Sequence, residues 1–280
     1  MYGYKGKILF VDLSNKKIEM ENVPEGWPKQ YIGGRGFNTR LLYDLVRPGA
    51  DPLGPENVLL FGTGPLNGTP LCSGRMTITT KAPESGFLVD GNIGGFFAPE
   101  LKYAGYDMIV VRGQSEKPVY LWINDDYVEI KNAAHLWGRT THETDSMLKK
   151  DLGDEDIQLR YIGPAGERLA NAAIIIGNLH RAGGRGGAGA VMGSKKLKAI
   201  AVKGTGGIPI HSPDDYEEVV EEIWRELDPQ VCIDLFLGPW NIYGSPVVVR
   251  YVNEMGGLIS KNDQEGVWDE CKKFGAEEMM

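Results

Sequence analysis

The sequence predicts an α+β protein in which a β-rich first domain, residues 1–208, is followed by the start of a mainly helical second domain, residues 209–280. Three observations favour this fold class. Strand and hairpin patterns dominate the first part, a glycine-rich layout occurs twice within it, and the apolar residues take helical spacing after Pro209. We expect the two repeats, residues 86–113 and 172–204, to occupy equivalent places in two β-sheets.

The strands are predicted from alternating and β-branched residues. Residues 7–21 indicate a hairpin with a polar turn, and residues 119–130 indicate a second one. Between them, residues 58–62 predict a buried strand that leads into a loop of Gly, Pro, Asn and Thr. Residues 75–80 follow as a strand rich in β-branched side chains.

The helices are predicted from their ends. The segment Gly33–Phe37 opens a helix that ends near Pro48 and Gly49. Thr140 and Glu143 have the spacing of a capping box and open a helix that reaches Gly153. Ser212 followed by Pro213 is typical of an N-cap with proline in the first turn, and an amphipathic pattern continues from there.

The repeated layout predicts anion binding. Residues 91–113 and 177–204 each join glycine-rich backbone to an aliphatic strand that ends in a basic residue and glycine. Free backbone N–H groups in such loops attract anions, and Arg181 and Arg185 offer bidentate contacts to phosphate. A single glycine loop is most often just a turn. Two related loops predict either a pair of phosphate sites or one ligand with two phosphorylated arms.

Composition and motifs exclude several functional classes. The formal net charge of −8 argues against nucleic acid or an anionic membrane as a partner, and no apolar run approaches the ~20 residues of a membrane span. No nucleotide-binding glycine motif has its required spacing. Cys72, Cys232 and Cys271 form neither a disulfide framework nor a zinc pattern. Without a signal-peptide core at the start, the expected location is cytoplasmic.

Several segments together resemble the tungsten-containing aldehyde ferredoxin oxidoreductase family, over the whole chain. They are G-K-I-L-F-V-D-L-S near the start, Y-I-G-G-R-G-F at 31–37, L-L-F-G-T-G-P-L-N-G-T at 59–69, S-G-R-M-T at 73–77, K-A-P-E-S-G at 81–86, G-N-I-G-G at 91–95 and R-A-G-G-R-G-G-A-G-A-V-M-G at 181–193.

The resemblance implies a fold and a cofactor. The first domain would contain two related β-sheets beneath a tungsten ion held by two pterins, with Mg²⁺ bridging the pterin phosphates. Asn92 and Ala182 would offer backbone carbonyls to that magnesium ion. The residues that would line the phosphates and pterins are Gly94, Gly95, Arg181, Gly183, Gly184 and Arg185.

Arg75, by the same resemblance, would lie between a pterin and a [4Fe-4S] cluster whose ligands lie outside this chain. Two simpler interpretations stay open: Arg75 as a strand arginine in a surface ion pair, and Asn92 as a turn residue. The histidines show no metal-binding spacing, and only His180 lies beside a glycine loop.

The implied activity is oxidation of aldehydes to carboxylic acids in an anaerobic electron-transfer system, with ferredoxin as acceptor. Alternatives are the active-site subunit of a related tungsten aromatic-thioester reductase, or a non-catalytic pterin-binding module completed by a partner chain. A homodimer is also compatible. The family's cysteine cluster motif and acidic pterin motifs do not occur, so we name no catalytic residue and expect the rest of the enzyme, or a partner subunit, to complete the site. Alone, the chain should lack a cluster and be inactive.

Overall fold

The computed structural model describes residues 1–71, 74–227, 237–276 and 278. The chain divides into two compact units, Met1–His211 and Ser212–Met280. The first unit contains two six-stranded sheets. The strands of the first sheet are β1 Lys7–Asp12, β2 Lys17–Asn22, β3 Leu59–Gly62, β4 Met76–Lys81, β5 Leu88–Ile93 and β6 Met108–Arg112. Those of the second sheet are β7 Val119–Asn124, β8 Tyr127–Asn132, β9 Gln158–Tyr161, β10 Ile175–Gly177, β11 Arg181–Gly183 and β12 Leu197–Lys203.

The helices of this unit lie between the strands, and α2 and α4 follow the predicted ends. Their bounds are α1 Trp27–Tyr31, α2 Arg35–Leu45, α3 Phe97–Tyr103, α4 Thr141–Leu152, α5 Pro164–Glu167 and α6 Ala188–Ser194. The capping box predicted for α4 is present, because the Thr140 side chain accepts from the N–H of Glu143 and the Glu143 side chain accepts from that of Thr140. Gly153 ends α4 in the left-handed conformation, with φ 70°.

The two sheets have the same topology. Their orders are β2-β1-β6-β3-β4-β5 and β8-β7-β12-β9-β10-β11, so each strand of the first sheet has its counterpart six strands later. In both, one parallel pair stands among antiparallel neighbours, β1 with β6 and β7 with β12. The prediction of two pseudo-symmetric sheets in an α+β fold is confirmed.

The register of the repeat differs from the prediction by one strand. The predicted repeats begin at residues 86 and 172, which would make β10 the counterpart of β5, but β10 is the counterpart of β4. The true counterpart of β5 is the three-residue strand β11, which lies inside the glycine-rich segment. A strand this short, without β-branched residues, has no recognisable sequence pattern.

Apolar side chains fill three layers. The largest cluster lies between the sheets and joins residues of both, including Leu9, Ile109 and Ile200, with α3 and α6. The outer face of the first sheet packs against α2 through Phe37, and the outer face of the second packs against α4 through Leu148. Each sheet is therefore buried on both faces, which explains continuous apolar strands such as β3 and β12.

The second unit, Ser212–Met280, is built from helices. It contains α7 Pro213–Leu227, α8 Leu237–Tyr243, α9 Val249–Glu254 and short 3₁₀ helices at Ser245–Val248 and Cys271–Phe274. The predicted helix start at Pro213 is correct. Of the cysteines, Cys271 is buried and free, whereas Cys72 and Cys232 lie outside the described residues. Among the helices described in the two units, none has both the length and the apolar character that a bilayer crossing requires.

Gly193 provides a test of the packing between α5 and α6. A Cβ there would lie 1.9 Å from the carbonyl oxygen of Gly166. Although alanine is the better helix former, we expect Gly193→Ala to lower the free energy of unfolding by about 1–3 kcal/mol, because the helices must separate. Gly207→Ala is the control, since no atom lies within 4 Å of its Cβ position. Equal thermal midpoints for the two variants would contradict this packing.

Candidate functional site

The candidate site is the seam where β5 and β11, the edge strands of the two sheets, meet together with the loops that follow them. The term seam here covers residues 91–95 and 181–187. A Cβ on Gly91 would lie 2.6 Å from the carbonyl oxygen of Gly184, and one on Gly183 would lie 2.8 Å from Cδ1 of Ile78. At Gly91 the backbone of the other sheet approaches so closely that only glycine fits, whereas at Gly183 a Cβ would press on the end of the Ile78 side chain.

Asn92 and Ala182 occupy equivalent positions in the seam. Asn92 pairs with Thr77 across the first sheet, and Ala182 pairs with Ile176 across the second. The approach of Gly91 to Gly184 has its counterpart on the other side, where the Cβ position of Gly94 is 3.9 Å from Cδ of Arg181. Both residues lie between these two approaches and both are exposed. The predicted residues of the two sheets therefore converge on one surface.

The loop of the second sheet presents backbone donors. Arg185, Gly186 and Gly187 have φ values of 75°, 68° and 75°. Within the described residues, the N–H groups from Gly184 to Gly187 donate to no other protein group. Arg181, which precedes this backbone, and Arg185, which lies within it, are both exposed. Unused donors beside two guanidinium groups make an environment suited to a multiply charged anion.

A Cβ would fit at two of the glycines. At Gly94 and Gly184 the nearest protein atoms to a Cβ would be 3.9 Å and 3.8 Å away. Neither has the positive φ that favours glycine. Protein packing therefore does not require glycine at these two places, and the missing side chain leaves the backbone open to a ligand.

Asn178 connects the two sheets beside the seam. Its Oδ1 accepts from the N–H of Phe96 at 3.3 Å, and its Nδ2 donates to Oε1 of Gln158 at 2.8 Å. Asn178 has φ 46°, a left-handed conformation that asparagine tolerates. Sequence reasoning missed this bridging role, because both partners are distant in sequence.

Tyr161 stabilises the turn at Asn178 and Leu179. Its hydroxyl accepts from the N–H of Leu179 at 3.1 Å. Burial and, after it, the nearby charge of Asp145 raise the pKa of Tyr161. The hydroxyl therefore stays protonated and can both accept from the turn and donate to Asp145.

Arg160 was missed by sequence reasoning and lies directly under the seam. This arginine of β9 is fully buried and donates from Nη2 to the carbonyl oxygen of Gly94 at 2.9 Å. Its guanidinium also lies 4.8 Å from the centre of the Phe97 ring. Burial lowers the pKa of Arg160 to about 9, so that it remains charged at neutral pH. A strand arginine gives no sequence signal of burial.

Arg75 is exposed at the border of the seam. Asn67 donates from Nδ2 to its carbonyl oxygen at 3.0 Å, and the Cβ position of the preceding Gly74 lies 2.5 Å from the carbonyl oxygen of Gly95. The alternative interpretation, a surface ion pair, finds no support in the described residues, where Arg75 has no acidic partner.

No cluster of three or more His, Cys, Asp or Glu side chains that could hold a metal ion occurs in the described ranges.

Comparison with known families identifies the class of protein to which this fold belongs. The family described as aldehyde ferredoxin oxidoreductase, N-terminal domain, matches residues 8–204. The chain belongs to this oxidoreductase family.

Curated relatives extend the similarity over the whole chain. A tungsten-containing aldehyde ferredoxin oxidoreductase of Thermococcus kodakarensis is 45% identical over 100% of this chain and 46% of its own length. That of Pyrococcus furiosus is 43% identical with the same coverage. The chain thus spans about half the length of these relatives. The WOR-like subunit of an aliphatic sulfonate oxidoreductase of Pyrococcus furiosus is 38% identical over 81% of this chain and 39% of its own length.

A solved structure has the same fold. The active-site complex BamBC of benzoyl coenzyme A reductase, in complex with 1,5-dienoyl-CoA, matches with a TM-score of 0.79 and 41% identity. The match covers 81% of this chain and 35% of that one.

The close approach of Gly95 to Asn178 can be tested with a matched pair of glycines. Both Gly95 and Gly86 have positive φ, 91° and 73°, but only at Gly95 would a Cβ meet a neighbour, Oδ1 of Asn178 at 2.2 Å. Gly86→Ala should lower the free energy of unfolding by about 1–2 kcal/mol, because alanine is strained in this backbone conformation. Gly95→Ala should lower it by a further ~1–3 kcal/mol, because its Cβ also meets Asn178. Thermal unfolding of both variants measures the difference, and equal losses would show that the Asn178 contact is absent.

Proposed function

We propose that this chain is the cofactor-holding part of a tungsten oxidoreductase that oxidises aldehydes to carboxylic acids and passes the electrons to ferredoxin. Membership of the aldehyde ferredoxin oxidoreductase family supports the reaction class. The names of the relatives from Thermococcus kodakarensis and Pyrococcus furiosus support tungsten as the metal and an aldehyde as the substrate.

One structural observation carries the proposal: two topologically equivalent loops from two sheets present open backbone on a single surface. The carbonyls of Asn92 and Ala182 would bind Mg²⁺ from the two sides, since both are exposed at equivalent positions. The open backbone at Gly94 and Gly184 would admit the phosphorylated arms of two pterins, with Gly95 and Gly183 shaping the walls. This arrangement suits a ligand that itself has two similar phosphorylated arms.

The arginines would neutralise the ligand. Arg181 and Arg185 stand beside free N–H donors and suit bidentate contact with phosphate. Arg75, exposed on the bordering loop, would place its charge between a pterin and an iron–sulfur cluster whose ligands lie outside this chain. A cation there would raise the potential of the cluster by stabilising its reduced form.

When bound, the tungsten bis-pterin group would supply the redox chemistry, in which the aldehyde gains an oxygen from water and releases two electrons. The residues of this chain would hold and orient the group and compensate its negative charge. No side chain of the seam is assigned a proton-transfer role. The acid and base groups would come from the rest of the enzyme or from a partner subunit.

A second candidate is the active-site subunit of a tungsten reductase acting on an aromatic thioester. The likeness to the BamBC complex, with a TM-score of 0.79 at 41% identity, favours it. The seam would hold the same type of cofactor in both enzymes, so the choice depends on the substrate cavity. A third possibility, a non-catalytic pterin-binding module, would also use the seam.

Metal analysis tests the cofactor directly. Protein purified anaerobically from cells supplied with tungstate, alone and together with the polypeptide encoded beside it, should contain one tungsten and two pterins per chain in the completed form. The chain alone should show no [4Fe-4S] absorbance and no aldehyde oxidation. A completed enzyme without tungsten or molybdenum would contradict the proposal. Reduction of an aromatic thioester without aldehyde oxidation would favour the second candidate.

The arginines can be separated by two measurements on the completed enzyme. Arg181→Ala or Arg185→Ala should lower tungsten content, because each loses a charge-assisted hydrogen bond worth about 1.5–3 kcal/mol. Lysine at either position should restore only part of the tungsten content, since lysine keeps the charge but lacks the planar guanidinium that contacts phosphate through two N–H groups.

Arg75→Ala should behave differently and serves as the comparison. We expect it to keep most of the tungsten while lowering the reduction potential of the cluster, which redox titration measures. An unchanged potential in Arg75→Ala, with a shifted potential in a fully loaded Arg181 or Arg185 variant, would reverse the two assignments.

A further inference from the structure

Arg160 is a buried cation without an anion. Its side chain is fully buried in β9, and its Nη1 and Nη2 donate to the carbonyl oxygens of Leu159 and Gly94 at 3.0 Å and 2.9 Å. Its Nε has no partner within the described part of the chain, and no carboxylate there pairs with it. Burying an uncompensated charge is strongly unfavourable, so that a counter-charge is expected nearby.

Other buried cations of this chain have an acidic neighbour. Lys102 forms an ion pair with Asp107 at 3.1 Å, and Lys198 forms one with Glu167. Lys195 donates to carbonyl oxygens and is stabilised by the charge of Asp12. Arg160 differs from these lysines because no acidic side chain of the described residues stabilises its charge, and its neighbour Tyr161 is protonated and neutral.

The fold itself does not require a cation at this place. Tyr161 pairs with Ile176 in the second sheet, as Gly62 pairs with Thr77 in the first. The counterpart of Arg160 is therefore Phe61, a fully buried apolar residue. The same topology is thus built with an apolar side chain in one half and a guanidinium in the other.

The position of Arg160 connects it to the seam. Because the carbonyl of Gly94 points inward to the guanidinium, the N–H of Gly95 on the same planar peptide points the opposite way. That N–H donates to no other group of the described residues. Arg160 thereby fixes one seam donor in an outward orientation and places a positive charge directly behind it.

We propose that Arg160 is a positioning residue for an anionic ligand of the phosphate-ester class bound at the seam. Its buried charge compensates the ligand, and its bond to Gly94 holds the Gly95 N–H toward it. The inference rests on the proposed function, which places a phosphorylated cofactor at the same surface. A bound anion would add a full counter-charge to the compensation that the two carbonyl oxygens and the Phe97 ring already give this guanidinium.

The proposal predicts opposite effects on the free and the anion-bound chain. Thermal unfolding of the whole 280-residue chain is followed against increasing pyrophosphate with Mg²⁺, which yields a Kd for each variant. Arg160→Met removes the charge but keeps an unbranched stem. We expect it to unfold at the same or a higher temperature than the unsubstituted chain without pyrophosphate, and to bind pyrophosphate at least about tenfold more weakly.

Two further variants separate charge from hydrogen bonding. Arg160→Gln keeps a donor for Gly94 without the charge and should bind as weakly as the methionine variant. Arg160→Lys keeps the charge and should bind more tightly than either. A glutamine variant that binds like the unsubstituted chain would overturn the proposal in favour of a purely hydrogen-bonding role.

Arg181→Ala distinguishes this inference from the proposed function. If Arg181→Ala weakens binding while all Arg160 variants bind normally, the anion site exists and Arg160 has no part in it. A lower midpoint for Arg160→Met with an unchanged Kd would show an ordinary structural arginine. If the unsubstituted chain binds no pyrophosphate, both the inference and the anion site behind the proposed function fail.

Discussion

The close approach of two backbones, Gly91 against the carbonyl of Gly184, is the constraint on which the rest of the first unit depends. No side chain fits at Gly91 against Gly184, so the sheets meet at this point along their main chains. Two edge strands that would otherwise be open to pairing with another molecule cover each other instead. Because each edge strand continues directly into a glycine-rich loop, the contact also brings both loops to the same surface.

Electrostatics distinguish this surface from the rest of the molecule. The chain as a whole carries a formal net charge of −8, yet Arg75, Arg181 and Arg185 are exposed at the seam and Arg160 is buried beneath it. A local positive region within an acidic protein favours the approach of an anion to this surface. The free N–H groups of the loop add to the same field.

A buried lysine holds the two halves of the repeat together away from the seam. Lys195, at the end of α6 in the second half, donates to carbonyl oxygens of Asn57 and Gly113 in the first half. Burial lowers its pKa to about 7, while the charge of Asp12 acts in the opposite direction. The two sheets are thus held together both at their edge strands and by Lys195 at a distance from the seam. These two attachments keep the seam in one geometry.

Local signals made much of the fold predictable. The hairpins, the capping box at Thr140 and the helix start at Pro213 depend on neighbours in sequence, and each was found. The two-sheet architecture followed from the repeat and the family resemblance. The register of the repeat was wrong, because β11 is three residues long and rich in glycine.

The site was predictable only in part. Glycines and arginines of the two loops stand out in the sequence, and the structure brings them together. Their roles toward a cofactor remain predictions. Asn178 and Arg160 could not be found in advance, because their partners Phe96 and Gly94 belong to the other half of the repeat.

Amide hydrogen exchange with and without pyrophosphate and Mg²⁺ tests the central claim, that both halves of the repeat form one shared anion site. The account predicts slower exchange in peptides covering residues 91–97 and in those covering residues 181–188, with the same dependence on ligand concentration. Protection of only one of the two segments, or protection at clearly different concentrations, would contradict a shared site.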